Sequence, residues 1–431
     1  MLYRLRQSAL LLGTLCRLAV AGTTALTIGT SACAATDLPD GAVLERVVLV
    51  ARHGIRSPTQ STEGLTLKTG RTWSAWPVPP GSMTEHGRTN LALMATFLRT
   101  VYAPLLATLG KPHCTPATSP VFVWADSADA RTLETGTIFA RVLSRGCVLA
   151  PASLPAGKKD PLFNAMANGL VVLDQAAITR TLTALSLKDD ARALPPAVHT
   201  AEQTLQHLFA PQGCNTLHTA CFTAPAQFGW KKGVPHATGG LALSASVAEN
   251  LLLEYVQGLP PTVTAQQGQA NLLATILPAH TYQSQRLRRL PALAAARGQL
   301  LLPTLLDLLS SAPPHTVPPS ARLILFAGHD TTLDMLASLF GLEWHFTDQP
   351  DPTAPDTTLG LEVWRLPGQQ TMVRFVLFHQ SLAQLRMATP VTERPDGGAA
   401  MVLHSSLCPT ALCSLAELTS HFSSKPSTAP L

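Results

Sequence analysis

Two segments share one pattern, and it constrains the fold more than any other feature. In "RVVLVARHGIRSP" (46–58) and "RLILFAGHDTTLDML" (322–336), an apolar run passes through a small residue to a histidine. Apolar runs without alternation read as strands buried on both faces, as parallel strands are when helices cover them. A third such run, "SPVFVWADS" (119–127), precedes "DARTLETGTIFARVLS" (129–144), which predicts a helix starting near Asp129. Another helix is predicted behind Thr84 as N-cap, with Glu85 in its first turn. "LGLEVWRL" (359–366) and "MVRFVLFHQS" (372–381) read as an antiparallel pair. Strands alternating with helices predict an α/β fold, a three-layer sandwich around a mostly parallel central sheet. From 171 to about 310 the pattern is helical, with breaks at 211–237 and 259–264. This block predicts an α-helical cap domain, 168–285, inserted between the two parts of the α/β domain, 35–167 and 286–431.

The N-terminus predicts an export signal. Arg4 and Arg6 precede apolar and small residues, and Ala32-Cys33-Ala34 forms a small-x-small cleavage pattern. Arg17 interrupts the apolar stretch, which opposes a membrane anchor of about 20 unbroken apolar residues. Residues 1–34 are therefore read as a signal peptide, and the mature chain as periplasmic or secreted, without stable membrane insertion. Cys33 also admits a lipoprotein anchor, although Thr30 stands where a leucine is usual. Removing 1–34 takes three of the 31 Lys+Arg and none of the 26 Asp+Glu, leaving 28 against 26, a balance of +2. Charged residues make up 13% of the chain, against about 25% in an average domain. The one basic cluster, "RLRR" (286–289), sits in a helical pattern. None of this suits a nucleic-acid surface, and a monomer is expected.

Six cysteines remain after the signal, and an even number in an exported chain implies disulfides. Many pairings are open in principle. Short loop closure favours Cys214 with Cys221 and Cys408 with Cys413, which leaves Cys114 with Cys147. No C-x-x-C spacing occurs and the histidines are scattered, so no metal site is expected.

In open α/β sheets, ligands bind outside the carboxyl ends of the strands. His53 and His329 are therefore expected to face one pocket, with Arg52, Arg56, Arg131 and Asp330 delivered to the same rim. Three arginines beside one imidazole repel unless an anion lies between them, and no acid occurs within 51–60. Arginine suits bidentate recognition of phosphate oxygens. A phosphoryl group fits, and guanidinium groups can balance the charge on its oxygens without metal or cofactor. A neutral His53 nitrogen can then attack phosphorus. The other ring nitrogen needs an acceptor, expected to be the Gly54 carbonyl. Asp330 can protonate the leaving oxygen. That role requires a proton on it when substrate binds, and predicts an acid optimum.

Other readings explain less. A structural salt-bridge group around Arg52 needs an acid, and none is near in sequence. His329-Asp330 as a helix N-cap pair accounts for the second motif but not the first. A metal-dependent HD phosphohydrolase needs further spaced histidines and aspartates in a helical domain.

"RHGIRSP" resembles the RHGxRxP signature of the histidine acid phosphatases, and "GHDTT" resembles their HD motif. "WPVPPGSMTEHG" (76–87), "DPLFN" (160–164), "TGGLALSASVAENLLLEYVQGLP" (238–260) and "FHQSLAQLR" (378–386) are similar to the bacterial periplasmic phytase and glucose-1-phosphatase branch. The resemblance implies a phosphoglycerate mutase-like fold, a phosphohistidine at His53 and a proton donor at Asp330. It also implies phosphate binding by Arg52, Arg56, Arg131 and His329, a small phosphate ester as partner, and no cofactor. Arg131 aligns by the Thr132 that follows it, one residue further from Asp126 than the family spacing. The family's disulfides agree with the three pairs above. One further pair, which ties the phytase cap to the C-terminus, has no cysteines here.

The resemblance also marks a specificity region. Thr59, Gln60, Asp126, Glu249, His280, Arg297 and Thr331 are the positions expected to contact substrate. A lysine that helps hold the phosphorylated ring in phytases is Gln60 here, a Ser-Met pair is Ala245-Ser246, and the asparagine after GHDT is Thr332. These departures oppose a strong preference for phytate. A phosphoglycerate mutase-like transferase shares the RHG core but is usually cytosolic and uses a glutamate. A phosphorylated-ligand binder with a degenerate site would lack the nucleophile or the acid.

Overall fold

Nine strands and thirteen helices build the described part of the chain. The computed structural model describes residues 38–107, 115–145, 147–171, 173–188, 194–214, 220–231, 234–310, 316–392 and 400–423. The predicted signal, Cys33, Cys114 and residues 424–431 lie outside the described residues. Strand β1 (Val43–Arg52) leads to helices α1 (Thr62–Thr69) and α2 (Glu85–Val101). Strand β2 (Val121–Ala125), helix α3 (Ala130–Leu143) and the single turn α4 (Pro161–Asn164) follow. Next come α5 (Gln175–Lys188), α6 (Pro196–Phe209), the hairpin of β3 (Gln227–Lys231) and β4 (Val234–Thr238), and α7 (Gly239–Gln257). Then come α8 (Gln269–Arg288), α9 (Pro291–Gly298) and α10 (Leu301–Leu309). Strand β5 (Leu323–Gly328), α11 (Asp330–Phe340), β6 (Thr358–Arg365), β7 (Thr371–Phe378), α12 (Leu382–Met387), β8 (Ala400–Leu403), β9 (Leu412–Ser414) and α13 (Leu415–Ser423) complete it.

The large sheet has the order β2-β5-β1-β6-β7-β8, with β9 also on β7. Its β2-β5-β1 part is parallel, and the rest is antiparallel. The expected α/β class holds, but the parallel part is narrower than expected. The expected β6–β7 hairpin is closed by Leu366 N–H donating to Gln370 O at 2.9 Å, and so short a connection can join only antiparallel strands. Its partners β1 and β8 add to it antiparallel as well, a direction that apolar runs do not encode.

Side chains of β1 alternate between two helical layers. Val47, Leu49 and Ala51 pack with Leu91, Met94 and Leu98 of α2 and Phe139 of α3. Val48 and Val50 pack with Leu305 of α10 and Leu333 and Leu336 of α11. Both faces are covered, which is why the run carries no alternation. Thr84 caps α2 as expected, its Oγ1 accepting from Gly87 N–H at 3.0 Å.

Among the described residues of 168–285 lie helices α5 to α8, the loops between them, and the β3–β4 hairpin, which falls where the sequence pattern breaks. Helices α6, α7 and α8 share a core of Leu205, Leu252, Leu273 and Ile276. Arg386 of α12 stacks over the Tyr255 ring of α7 at 4.3 Å, which links this stretch to the C-terminal part without cysteines. Cys214–Cys221 and Cys408–Cys413 are disulfides, as loop closure favoured. Cys147 is also disulfide-bonded; its expected partner, Cys114, is outside the described residues. No single described helix is long and apolar enough to cross a membrane.

The central strand should be the least tolerant of lost volume. Leu325→Ala removes a fully buried side chain of β5 and should cost about 2–5 kcal/mol, measured by urea unfolding of the purified protein.

Candidate active site

Strands β1 and β5 pair so that Arg52 lies opposite Gly328. The next residue of each strand is a histidine, so the two leave the sheet side by side. His53 N–H donates to Gly328 O at 3.1 Å, and the imidazole centroids are 5.4 Å apart, edge to face. One strand further, Ala125 of β2 lies opposite Ala327. Asp126 follows, and its Oδ2 reaches His329 Nε2 at 3.3 Å.

His53 Nδ1 is 2.9 Å from Gly54 O, the expected acceptor. A carbonyl only accepts, so Nδ1 carries the hydrogen and Nε2 keeps its lone pair. Burial first, then His329 and the three arginines, hold the imidazolium well below its ordinary range. The ring is therefore neutral into the acid range. Gly54 is required by close approach. A Cβ there would lie 3.0 Å from Gly87 O and 3.3 Å from Asp356 Oδ1. Asp356 itself is fully buried in a left-handed conformation (φ 68°), and neither carboxyl oxygen has a hydrogen-bond partner. Burial pushes its acid well above the usual range, which favours the neutral form.

Arg52 and Arg56 have acid partners after all, from distant parts of the chain. Arg52 NH1 donates to Asp351 Oδ2 at 3.3 Å and to the Thr353 carbonyl. Its NH2 lies 3.4 Å from Glu249 Oε1, and Arg56 NH2 donates to the same oxygen at 2.9 Å. Glu249 comes from α7 and Asp351 from the segment before β6. Neither acid lies near these arginines in sequence. Arg131, on α3, donates from NH2 to Asp129 Oδ2 at 2.8 Å and from NH1 to Gly81 O at 3.4 Å. The Nε atoms of Arg52, Arg56 and Arg131 are buried and have no hydrogen-bond partner.

Asp330 opens α11. Its Oδ1 accepts from Thr331 N–H at 2.8 Å, and its Oδ2 accepts from Arg288 NH1 at 2.8 Å. Burial works against its charge, but Arg288, then Arg52 and His53, prevail and hold the carboxyl well below the usual range. Without substrate, these cations favour the ionised carboxylate. Arg288 belongs to the "RLRR" run and is also 3.2 Å from Asp334 Oδ2. Its partner was invisible in sequence, where the run read only as part of a helical pattern.

The specificity positions divide. Ligating atoms of Glu249, His280 and Asp330 lie within 4.8 Å of one another. That trio could in principle ligate a cation, but each carboxylate is already ion-paired with arginine, which opposes one. Arg297 is half-buried, its NH1 atom is buried and unpartnered, and burial, then Arg288, pull its pKa down to about 10. Gln60 Nε2 donates to Ser246 Oγ of α7 at 3.2 Å, and Lys68 Nζ of α1 donates to Gln60 Oε1. A lysine therefore meets Gln60 from a position the motif does not contain. Thr331 offers its backbone N–H to Asp330, Thr332 Oγ1 accepts from His329 N–H at 3.4 Å, and Thr59 is exposed.

A profile of the histidine phosphatase superfamily (branch 2) matches residues 43–212. Phytase AppA of Escherichia coli (strain K12) is 30% identical over 400 residues, 87% of this chain and 90% of that one. The chain belongs to the histidine phosphatase superfamily, branch 2. A glucose-1-phosphatase of Salmonella typhimurium is 27% identical over 260 residues, 58% of this chain and 59% of the relative. The structure of Hafnia alvei phytase in complex with tartrate matches with a TM-score of 0.77 and 28% identity, covering 90% of this chain and 99% of that one. This superfamily member is an enzyme, a phosphoric monoester hydrolase.

Glu249 gives a pH signature. Burial opposes its charge, yet Arg56, His280 and Arg52 lower its pKa below the ordinary 4.5. Its stabilisation is complete above that ordinary value and is lost as pH falls through the lower folded value. Glu249→Gln should cost about 1–3 kcal/mol at neutral pH. The difference from wild type should shrink as the pH falls below 4.5, measured by urea unfolding across that range.

Proposed function

We propose that this hydrolase is an exported acid phosphatase that cleaves sugar and inositol phosphates through a phosphohistidine at His53. One observation carries the reading. The Nδ1–Gly54 hydrogen bond leaves Nε2 as the nucleophile, among arginines that favour a bound phosphoryl group. Arg52, Arg56, Arg131 and His329 are assigned the phosphate oxygens, where guanidinium geometry suits a planar fork of donors.

In the first step the Nε2 lone pair attacks phosphorus and the ester P–O bond breaks. The leaving alkoxide takes a proton from Asp330 and departs as the alcohol. Nδ1–H stays on Gly54 throughout. In the second step water attacks phosphorus, the Asp330 carboxylate takes its proton, and the P–N bond returns its electrons to Nε2. The ion pair with Arg288 means that Asp330 must gain a proton on binding. An incoming phosphate brings negative charge beside the carboxylate and draws on the same cations, both of which raise its pKa. Acid conditions supply that proton, while the depressed His53 keeps its neutral nucleophile.

Export is supported by the N-terminal pattern and by disulfides, which persist in oxidising compartments. Relatives named for phytate and for glucose 1-phosphate bracket the substrate class. The stretch 168–285 is assigned the role of a cap that limits substrate size. Its Ser246 meets Gln60 at the rim.

His53→Ala should abolish turnover and eliminate a phosphoenzyme trapped by rapid acid quench; retained activity would refute the nucleophile. Asp330→Asn should slow alkyl phosphates far more than p-nitrophenyl phosphate, whose leaving group needs no proton. Arg288→Met removes the strongest partner of the Asp330 charge. The carboxyl should then keep its proton to higher pH, so the basic limb of the kcat profile should move upward. A limb that stays in place would separate Asp330 from that ionisation.

A further inference from the structure

Asp129 stands at the N-cap of α3, yet its side chain makes no capping bond. Its Oδ2 turns instead to Arg131 NH2 at 2.8 Å and to His329 Nε2 at 3.5 Å. Those are two of the four side chains assigned to phosphate. A carboxylate oxygen between a guanidinium and an imidazole offers the same charge and acceptor character as a phosphate oxygen. The imidazole does not depend on it for orientation, because Asp126 Oδ2 is nearer, at 3.3 Å. Asp126 also shapes the turn that aims Asp129 inward: its Oδ1 accepts from Ala128 N–H at 3.0 Å. The Asp129 side chain is 38% exposed, so it can rotate into water without burying an unpaired charge.

We propose that Asp129 is a built-in competitor for the phosphoryl site. Its carboxylate holds Arg131 and His329 and is displaced when an ester or inorganic phosphate binds. The inference rests on the phosphate assignment of Arg131 and His329 made above. Displacement breaks one charge-assisted contact at every binding event, so it weakens ester and product alike. Weaker binding of both raises KM and speeds release of inorganic phosphate.

The opposite role is a positioning one, in which Asp129 holds Arg131 ready for the substrate. The two roles differ in sign. Asp129→Asn keeps the shape and loses the charge, whereas Asp129→Ser can still cap the helix but is too short to span to Arg131. Both variants should lower KM for p-nitrophenyl phosphate and the inhibition constant of inorganic phosphate, each by about tenfold, the usual size of one charge-assisted contact. Phosphate should also raise the melting temperature of both variants more than that of wild type. Inhibition constants that stay level or rise in both variants would overturn the proposal. Arg131→Ala separates the two layers of inference, since it should weaken phosphate inhibition. If it does and the Asp129 variants do not tighten it, the competitor role alone fails. If Arg131→Ala changes nothing, the phosphate assignment fails and takes the competitor role with it.

Discussion

Arg52 lies opposite Gly328 because two apolar runs pair in parallel, and nearly every feature of the site follows from that register. Neighbouring strands are about 4.8 Å apart, so consecutive strand ends deliver their next residues at contact distance. That spacing sets the His53 and His329 rings 5.4 Å apart and brings Asp126 within reach of His329. A slip of one residue would turn each of these side chains to the other face and separate them. The helical layers on both faces make such a slip costly, because it would expose half of two buried strands. The packing of the core and the geometry of the catalytic groups are thus one problem with one solution.

Charge balance is the second constraint. Arg52, Arg56, Arg131 and Arg288 converge on a small volume, and a buried guanidinium without a partner is strongly unfavourable. Each has an acid: Asp351 and Glu249 for Arg52, Glu249 for Arg56, Asp129 for Arg131, Asp330 and Asp334 for Arg288. A chain with only 13% charged residues spends a good share of them here. The surrounding cations favour a neutral His53 and an ionised Asp330. A phosphate ester carries enough negative charge to disturb each of these pairs at once.

Much of this site was legible because its key residues sit next to the strands that place them. "RHG" and "GHD" each follow an apolar run, so periodicity locates the strand and the strand end locates the histidine. The partners were not legible for the same reason in reverse. Asp351 meets Arg52 across 299 positions and Arg288 meets Asp330 across 42, and no local pattern reports such pairs. The Arg288 partner of Asp330 was missed because "RLRR" reads only as part of a helical pattern until its neighbour is known. The parallel share of the sheet was overestimated because an apolar run carries no information about strand direction. Only the β6–β7 hairpin declared itself, through two runs separated by a tight turn. The β3–β4 hairpin fell in a stretch whose mixed composition reads as a break.

Glu249 Oε1 serves guanidinium groups on both sides of it, Arg52 at the end of β1 and Arg56 just beyond. That single oxygen fastens α7 to the floor of the pocket. A rigid opening of α7 away from the sheet would strip the shared acid from two cations, so hinge motion is an expensive way to admit ligand. The contact of Gln60 with Ser246 of the same helix, and of Lys68 with Gln60, is made by hydrogen bonds alone, so it breaks at less cost. The shared carboxylate is therefore the costlier of the two attachments of α7 to the β1 end of the sheet, and substitution at position 60 disturbs the structure less than substitution at position 249.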